Sequence, residues 1–311
     1  MTGSQECVPE KSPGLFSGIN LAMTGMTLIW GINFMAIKYT LGEMLPMVFA
    51  SIRFSLAATF LVAVVLIAGQ NLHFHRYDFW RILLLGLVGT SIYQALFVEG
   101  AARTTASNAA ILLATTPIFV TLLSALFHLE RITPWTVVGV FISFAGILMV
   151  IGMGKGGVSF DRDMLPGNLI VLLSSLCWSS YTLMSRPLLR RYPPLKLTAI
   201  SMLMGAPVLI ILAVGQFGQQ NWQAVNVQGW LGLIYSFVFS IALGTVIWNT
   251  SVSKMGNTRT AIFSNVTPVV TVIASWLVLG ETLGAWQAVG AVFTLAGVTL
   301  TRLAPREPVR C

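Results

Sequence analysis

Two ionisable residues, Arg53 and Glu99, lie within long apolar stretches of the sequence. A charged side chain inside a bilayer costs several kcal/mol unless it reaches the interface, forms a pair or faces water, so both are candidates for binding or ion coupling. Arg53 lies about 10 Å along a helix from Pro46, within reach of an interface. An interfacial anchor or an internal ion pair is therefore as good an interpretation as a cavity cation that meets a carboxylate or controls a gate.

Glu99 is placed at the end of an apolar stretch and not in a loop. Because Arg53 and Arg103 are expected on the same side of a membrane, we predict that Glu99 pairs with one of them. A lone carboxylate within a membrane is also a candidate proton site.

Polar and aromatic residues near the middle of the apolar stretches are the candidate lining of a small-molecule cavity. Such sites are mostly apolar and aromatic with a few placed polar groups, although Trp and Tyr near span ends are commonly interfacial anchors. Asn265 aligns with Ala114 in the repeat described below, so this position is a candidate for reading substrate polarity. The candidate set is Trp30, Asn33, Tyr93, Gln94, Asn108, Thr115, Trp178, Tyr181, Ser185, Trp248, Asn249 and Asn265.

Pro117 and Pro268 lie in the middle of apolar stretches. A proline removes a backbone donor and clashes with the carbonyl four residues earlier, so each helix is expected to bend or open there. In hydrocarbon the freed carbonyls need a partner, and the neighbouring hydroxyls of Thr115, Thr116 and Thr267 are candidates. Helices that line a cavity are the preferred interpretation, and simple packing kinks are the alternative.

The composition is that of an integral membrane protein. Of 311 residues, 56% are hydrophobic and 9% are charged, with a mean hydropathy of +0.82, whereas soluble domains have about 25% charged residues. The net charge of +8 is therefore not evidence of nucleic-acid binding.

The three cysteines, Cys7, Cys177 and Cys311, are too scattered for a disulfide or metal site, and no cofactor is predicted. The N-terminal residues lack the order of a signal peptide, so the first apolar segment is expected to remain as a helix.

Ten segments are long and apolar enough to cross a bilayer, and the loops between them show a charge bias. With the N-terminus inside, Lys and Arg concentrate in the inside loops, and the outside loops carry only Lys38, Arg103, Lys155 and Arg162. This bias predicts cytoplasmic termini. The segments are 17–37, 47–68, 79–99, 105–127, 134–153, 166–186, 195–215, 229–250, 259–279 and 284–303.

The chain contains an internal repeat. Asn108–Met149 aligns without a gap on Arg259–Leu300, and Trp30 aligns more weakly on Trp178. Repeats of this kind are typical of inverted-repeat carriers. We therefore expect an all-α integral membrane protein with ten transmembrane helices, arranged as two inverted five-helix repeats around a central cavity. The predicted parts are a cytoplasmic tail (1–16), the first repeat (17–153), an outside linker (154–165), the second repeat (166–303) and a cytoplasmic tail (304–311).

Small residues recur on one face of the last helix of each repeat: Gly139 and Gly146, then Gly290 and Gly297. Glycines at this spacing let two helices approach closely, within the bundle or, alternatively, in a homodimer. Glu130 and its repeat partner Glu281 precede these helices. We expect each carboxylate to accept backbone amides at the start of the next helix.

Several chemistries lack their sequence motifs. The chain has no Gly-rich loop with Lys-Ser/Thr for ATP phosphates and no HExxH or GxSxG motif. His73 and His75 form only an HxH beside Arg76, so a metal site is not expected. An enzyme embedded in the membrane is therefore disfavoured, and a channel is disfavoured because no filter sequence is evident.

The ordered motifs resemble the drug/metabolite transporter superfamily, specifically EamA-type transporters with two EamA repeats. The resemblance covers about residues 17–303 and depends on features in both halves. It implies a secondary-active transporter that works by alternating access, most often an exporter of amino acids or related small metabolites. An uptake or exchange carrier for a nucleotide-like or vitamin-like compound is the alternative. The motifs are Trp30, Asn33-Phe34, Pro46, Arg53-Phe54, Thr116-Pro117, Thr267-Pro268, Glu130, Glu281 and the paired glycines.

The expected partners follow from this interpretation. They are a small-molecule substrate, protons as a coupling ion and the lipid bilayer, with no nucleic acid. The expected location is the bacterial inner (plasma) membrane.

Overall fold

A computed structural model describes residues 17–104, 106–130, 132–152, 162–279 and 285–304. These residues form helices and short connections, with no strand among them. The α-helices are α1 (Gly18–Leu41), α2 (Pro46–Ile67), α3 (Phe79–Gly86), α4 (Tyr93–Ala102), α5 (Ala106–Leu113), α6 (Thr116–Leu126), α7 (Pro134–Gly152), α8 (Leu165–Leu189), α9 (Pro194–Phe217), α10 (Val227–Tyr235), α11 (Gly244–Met255), α12 (Asn257–Ala261), α13 (Val266–Leu279) and α14 (Ala285–Leu303).

Six described helices are long and apolar enough to cross a membrane. The prediction of an all-α membrane protein is therefore confirmed. Shorter apolar helices, Ile111–Leu126, Pro134–Val150 and Ala288–Leu303, coincide with other predicted segments. The six long helices are Gly18–Leu41, Pro46–Ile67, Arg76–Ala102, Leu165–Leu189, Pro194–Phe217 and Val227–Met255.

Two of the long helices contain a π-helical segment. Leu87–Ile92 joins α3 to α4, and Ser236–Leu243 joins α10 to α11. A π turn changes the hydrogen-bond register from i→i−4 to i→i−5 and occurs often at functional sites. Both segments lie at the same place in their half of the chain, and both face the candidate site described below.

The packing of the helices is symmetric when the two halves are exchanged. Helix α1 packs on α10, α11 and α13, and its counterpart α8 packs on α4, α5 and α6. Helix α2 packs on its own counterpart α9, and α7 packs on its counterpart α14. The centre of the bundle is therefore built equally from residues before and after the middle of the chain.

The close approach of α7 and α14 depends on the repeated glycines. A Cβ at Gly146 would lie 2.5 Å from the backbone nitrogen of Thr294 and 2.6 Å from the carbonyl oxygen of Gly290. A Cβ at Gly139 would lie 2.8 Å from the carbonyl oxygen of Gly297. The predicted role of these glycines in packing within the bundle is confirmed.

Candidate functional site

Five aromatic residues from the predicted cavity set form one cluster at the centre of the bundle. The ring centroids of Trp30, Trp178 and Trp248 lie 5.4 to 6.0 Å from one another. Tyr93 and Tyr181 each lie 5.0 Å from Trp178. Such distances are typical of favourable aromatic pairs. The two tryptophans related by the sequence repeat, Trp30 and Trp178, thus meet edge to face, and the cluster joins both halves of the chain.

Both π segments help to position these rings. The indole N–H of Trp30 donates to the carbonyl oxygen of Ser240, within the second π segment, at 3.0 Å. A Cβ on Gly244 would lie 2.5 Å from that indole nitrogen. In the first π segment, Gly89 lies against the ring of Tyr181 so closely that a Cβ would overlap it. Glycine is therefore required at these two positions, where the helix backbone passes beside a ring of the cluster.

Polar groups on α8, α9 and α11 orient the deeper rings. The indole N–H of Trp248 donates to Oγ1 of Thr182 at 3.2 Å. Nδ2 of Asn249 donates to the Tyr181 hydroxyl at 2.7 Å and to Oγ1 of Thr198 at 2.8 Å. Because Trp248 and Asn249 are fully buried, these bonds specify one arrangement of the cluster.

Several buried polar atoms have no hydrogen-bond partner among the described residues. Some of them belong to predicted cavity residues, and buried polar atoms in native proteins are almost always bonded to protein or water. Orphaned groups in the middle of a bundle are therefore places where a polar ligand or a water gains a bond. Among these atoms are Oδ1 of Asn33, Nε2 of Gln94, Oδ1 of Asn249 and Oδ1 of Asn265.

The helix opens next to Pro117, between α5 and α6. Oγ1 of Thr116 donates to the carbonyl oxygen of Leu113 at 2.7 Å, which is the group that Pro117 leaves without its backbone donor. Both Thr115 and Thr116 also lie within hydrogen-bond distance of Oγ of Ser175 on α8. The break is thus stabilised by hydroxyl groups, one of them from the other half of the chain.

The corresponding region near Pro268 differs in its contacts. A 3₁₀ segment, Ile262–Asn265, precedes α13, and Nδ2 of Asn265 donates to Oγ of Ser143 on α7 at 2.9 Å. Thr271 on α13 is within 3.2 Å of the carbonyl oxygen of Gly31 on α1. The described contact of Asn265 is therefore with α7 and not with the aromatic cluster.

Arg53 is buried within the protein, with 3% of its surface exposed, so it is not an interfacial anchor. Its NH1 donates to Oγ of Ser236, in the second π segment, at 3.0 Å. Its guanidinium carbon lies 4.6 Å from the ring centroid of Phe49 and 5.4 Å from that of Phe54. Within the described residues it forms no ion pair, and its Nε has no partner.

Of the other predicted site residues, the structure describes the side chains of Glu99 and Ser185. Of the two pairs expected for Glu99, the structure has the one with Arg103, at 2.9 Å and largely exposed. Oγ of Ser185 bonds to the carbonyl oxygen of Thr182 in its own helix. Asn108 belongs to α5, and its side chain lies outside the described residues.

Glu130 accepts backbone amides at the start of a helix, as expected, but that helix is α12 of the other half and not the next helix along the chain, as was expected. Its Oε1 accepts the backbone N–H of Asn257 at 2.6 Å and its Oε2 accepts that of Thr258 at 3.1 Å, both at the start of α12 in the other half. Oε1 also pairs with NH1 of Arg186 at 2.7 Å. The physical reason is that Thr133 accepts the N–H of Thr136 and so caps α7 itself. Glu281 lies outside the described residues.

A second polar set joins the α1–α2 turn to the α9–α10 connection. Oε2 of Glu43 accepts the backbone N–H of Asn226 at 3.2 Å. Gln220 donates to the carbonyl oxygen of Glu43 at 2.9 Å and accepts the backbone N–H of Leu45 at 2.7 Å. The two halves are therefore connected by side chain to backbone bonds in the connecting loops as well as by the aromatic cluster.

Several residues that shape the site were not predicted from the sequence. They are small or hydroxyl-bearing and sit in otherwise apolar helices, where a serine or glycine is usually a packing residue. The available signal was the position of glycines inside long apolar segments, which marks a special backbone or a close approach. The residues are Gly89, Ser175, Thr182, Thr198, Ser236 and Gly244.

The chain is similar to known membrane proteins over nearly all of its length. The sequence profile of the EamA-like transporter family matches residues 17–152 and 165–303. An uncharacterized transporter of Bacillus subtilis is 28% identical over 281 residues, which covers 90% of this chain and 92% of that protein. An uncharacterized transporter of Archaeoglobus fulgidus is 30% identical over 280 residues, with 90% and 96% covered.

A solved crystal structure shares the fold. It superposes with a TM-score of 0.79 at 18% sequence identity and covers 91% of this chain and 95% of the other. The likeness at this identity concerns the fold alone, while the family match rests on both repeats. The chain belongs to the EamA-like transporter family.

Proposed function

We propose that the chain is a secondary-active transporter that exports amino acids or related small metabolites by alternating access. The single observation that supports this most is the central aromatic cluster, to which both halves contribute. The helices that carry its rings also carry buried polar atoms of Asn33, Gln94 and Asn249 that have no partner within the described residues. A site of this composition suits a small molecule with an apolar body and a few polar groups.

The proposal includes ten spans in two inverted five-helix repeats, residues 17–153 and 166–303. Helices α1 and α8 each pack on corresponding helices of the opposite half, and α2 packs on its counterpart α9. This symmetry supports the proposed arrangement. An odd number of spans in each repeat inverts the second one, and transporters of this kind bind substrate where the repeats meet. The charge distribution of the loops favours cytoplasmic N- and C-termini in a bacterial plasma membrane.

Alternating access requires that the two halves separate at one face while they remain joined at the other. In the proposed topology, the bonds of Glu130 to Asn257 and Thr258 (the Glu130 set) lie at the cytoplasmic face. The bonds of Glu43 to Asn226 and Gln220 (the Glu43 set) lie at the outer face. Both sets are polar bonds at loops, which exchange for water at low cost compared with apolar core packing. In each half of the cycle, one set would break and open its face of the site, while the other set stays formed and keeps the opposite face closed.

Export against a gradient needs a driving ion, and protons are the coupling ion that we propose. Glu99 is the candidate carrier because it is an acid at the end of a span, and its ion-pair partner among the described residues is Arg103, which follows the end of the same helix. Its partial exposure gives it access to the aqueous phase, which a proton carrier needs.

Counterflow in proteoliposomes tests the proposal. Purified protein would be reconstituted with an unlabelled amino acid or metabolite inside, and entry of the labelled compound would be measured with and without a pH gradient. We expect saturable exchange of one class of compound and its absence from protein-free liposomes. If no amino acid exchanges but a nucleotide-like or vitamin-like compound does, the proposed substrate class is wrong. Single-channel currents far above carrier turnover would contradict the transport mechanism.

A further inference from the structure

We propose that Arg53 is the docking point for a carboxylate of the transported molecule. This inference rests on the proposed function and names the chemical group that the central site recognises. It assigns a specific role to a residue whose position in the sequence left an anchor, an ion pair and a gate as alternatives.

The first argument is electrostatic. Arg53 is buried to all but 3% of its surface, and no carboxylate pairs with it among the described residues. A guanidinium removed from water without a counter-ion is destabilising by several kcal/mol. The rings of Phe49 and Phe54 offset part of this through cation–π contacts. An anion at this position would supply the missing charge and therefore gain more binding free energy than it would in water.

The second argument is geometric. A guanidinium has five N–H donors in a planar fork, and the structure assigns one of them, on NH1, to Ser236. The Nε–H has no acceptor. Carboxylates accept two parallel bonds from such a fork, whereas a hydroxyl such as that of Ser236 accepts only one. The Nε–H, which belongs to this fork, is therefore a donor that a carboxylate could occupy.

The third argument is position. Arg53 lies on α2, in the first half, and its partner Ser236 lies in the second π segment. Tyr93, whose ring is 5.0 Å from that of Trp178, packs against the same hydrophobic cluster as Phe49, and the ring of Phe49 carries the Arg53 guanidinium at 4.6 Å. The cation therefore lies toward the Tyr93 side of the aromatic cluster. A molecule with its carboxylate at Arg53 would extend its body toward the rings.

A direct binding measurement tests this without depending on transport. Thermal unfolding of the purified full-length protein in detergent would be followed by circular dichroism with amino acids and small carboxylic acids, each compared with its carboxamide. We expect at least one acid to raise the unfolding midpoint while its amide does not. Arg53→Gln should abolish that response, and Arg53→Lys should weaken the affinity about tenfold or more, because an ammonium lacks the planar fork.

Two further variants separate binding from folding. Arg103→Gln removes the same charge from an exposed pair and should respond to the acid like the wild type. Ser236→Ala removes the acceptor that holds NH1 but keeps the positive charge, so the acid should still raise the unfolding midpoint, by less than in the wild type, because a hydrogen bond to a charged group is lost. If Arg53→Gln does not fold, Arg53→Lys and Ser236→Ala provide the comparison.

The outcomes are distinct from those of the transport assay. The inference is overturned if no acid stabilises the wild type, if an amide or a phosphate monoester replaces the acid equally well, or if Arg53→Lys binds as tightly as the wild type. A carboxylate that binds at Arg53 but does not exchange in counterflow would contradict the proposed transport and leave the binding site intact.

Discussion

Oε1 of Glu130 lies 2.6 Å from the backbone nitrogen of Asn257, a residue 127 positions away in the chain. Through this bond the turn that follows α6, in the first half, caps the start of α12, in the second. Arg186 on α8 pairs with the same oxygen. Three helices that must separate if this end of the bundle opens are therefore connected through one carboxylate.

Glu130→Gln should weaken this connection. The amide keeps the size of the side chain but loses the charge, and hydrogen bonds to charged groups contribute about 1.5–3 kcal/mol. We expect a lower unfolding midpoint in detergent and a shift of the transporter toward the state open at this end. Accessibility of a cysteine placed nearby to a water-soluble thiol reagent measures that shift. Equal reactivity in wild type and variant would rule out a gating role, and Arg186→Gln should act in the same direction.

Gly256→Ala should destabilise the same connection for two reasons. Gly256 has φ +90 and ψ 176, a backbone region that is essentially restricted to glycine and costs other residues about 1–3 kcal/mol, and a Cβ would lie 2.5 Å from Oε1 of Glu130. Gly69→Ala is the matched control, because Gly69 has φ +69 but nothing within 4 Å of its added Cβ. The free energy of unfolding should fall further for Gly256→Ala, and equal losses would show that the contact with Glu130 contributes nothing.

Gly89→Ala should disturb the aromatic cluster. The added methyl overlaps the ring of Tyr181, whose hydroxyl accepts a bond from Asn249, so the ring must shift. Overpacking of this kind destabilises by about 1–3 kcal/mol, and we expect counterflow to fall about tenfold. Gly25→Ala, with open space at its Cβ, is the control. Unchanged exchange by a well-folded Gly89→Ala protein would remove Tyr181 from the proposed substrate site.

Gly146→Leu should separate α7 from α14. The backbones of the two helices approach so closely at Gly146 and Gly290 that even a methyl group does not fit, and small residues at this spacing are what permits such contacts. We expect a loss of about 1–3 kcal/mol or more in stability, read as a lower unfolding midpoint. Gly215→Leu, where nothing lies within 4 Å, should have a much smaller effect. A similar midpoint for both variants would contradict the packing role.

Glu99→Gln tests the coupling proposal. An amide takes up no proton, so accumulation driven by a pH gradient should be lost, while counterflow, which needs no net proton movement, should persist. The loss of the exposed pair with Arg103 should change stability by less than about 1 kcal/mol. Accumulation that survives the substitution would show that Glu99 is only a surface pair.

The sequence was informative wherever a requirement is local or repeated. Hydrocarbon excludes unpaired backbone groups, so composition and segment length alone predict an all-helical membrane protein. The repeat predicted that Pro117 and Pro268 interrupt equivalent helices. It also paired Trp30 with Trp178, and the structure brings these two residues into contact.

Partner choice was beyond the sequence because it depends on which helix faces each side chain. At the break between α5 and α6, Thr116 bonds to Ser175 on α8. Arg53 donates to Ser236, which lies 183 positions away in the chain. Serines and glycines in apolar helices carry no mark that separates a site residue from a packing residue. Nothing in the sequence indicated that Asn265, a candidate for reading substrate polarity, donates to Ser143 on α7.

By itself, the sequence determined the membrane class, the helix positions, the duplicated architecture and the aromatic and polar residues available to the centre. Only the tertiary structure decided that Glu130 connects the two halves, that Arg53 lies buried beside no carboxylate of the described residues, and that five rings form one cluster. The physical reason is that hydropathy and helix periodicity act along the chain, whereas hydrogen bonds, ion pairs and ring contacts depend on the crossing of helices far apart in sequence.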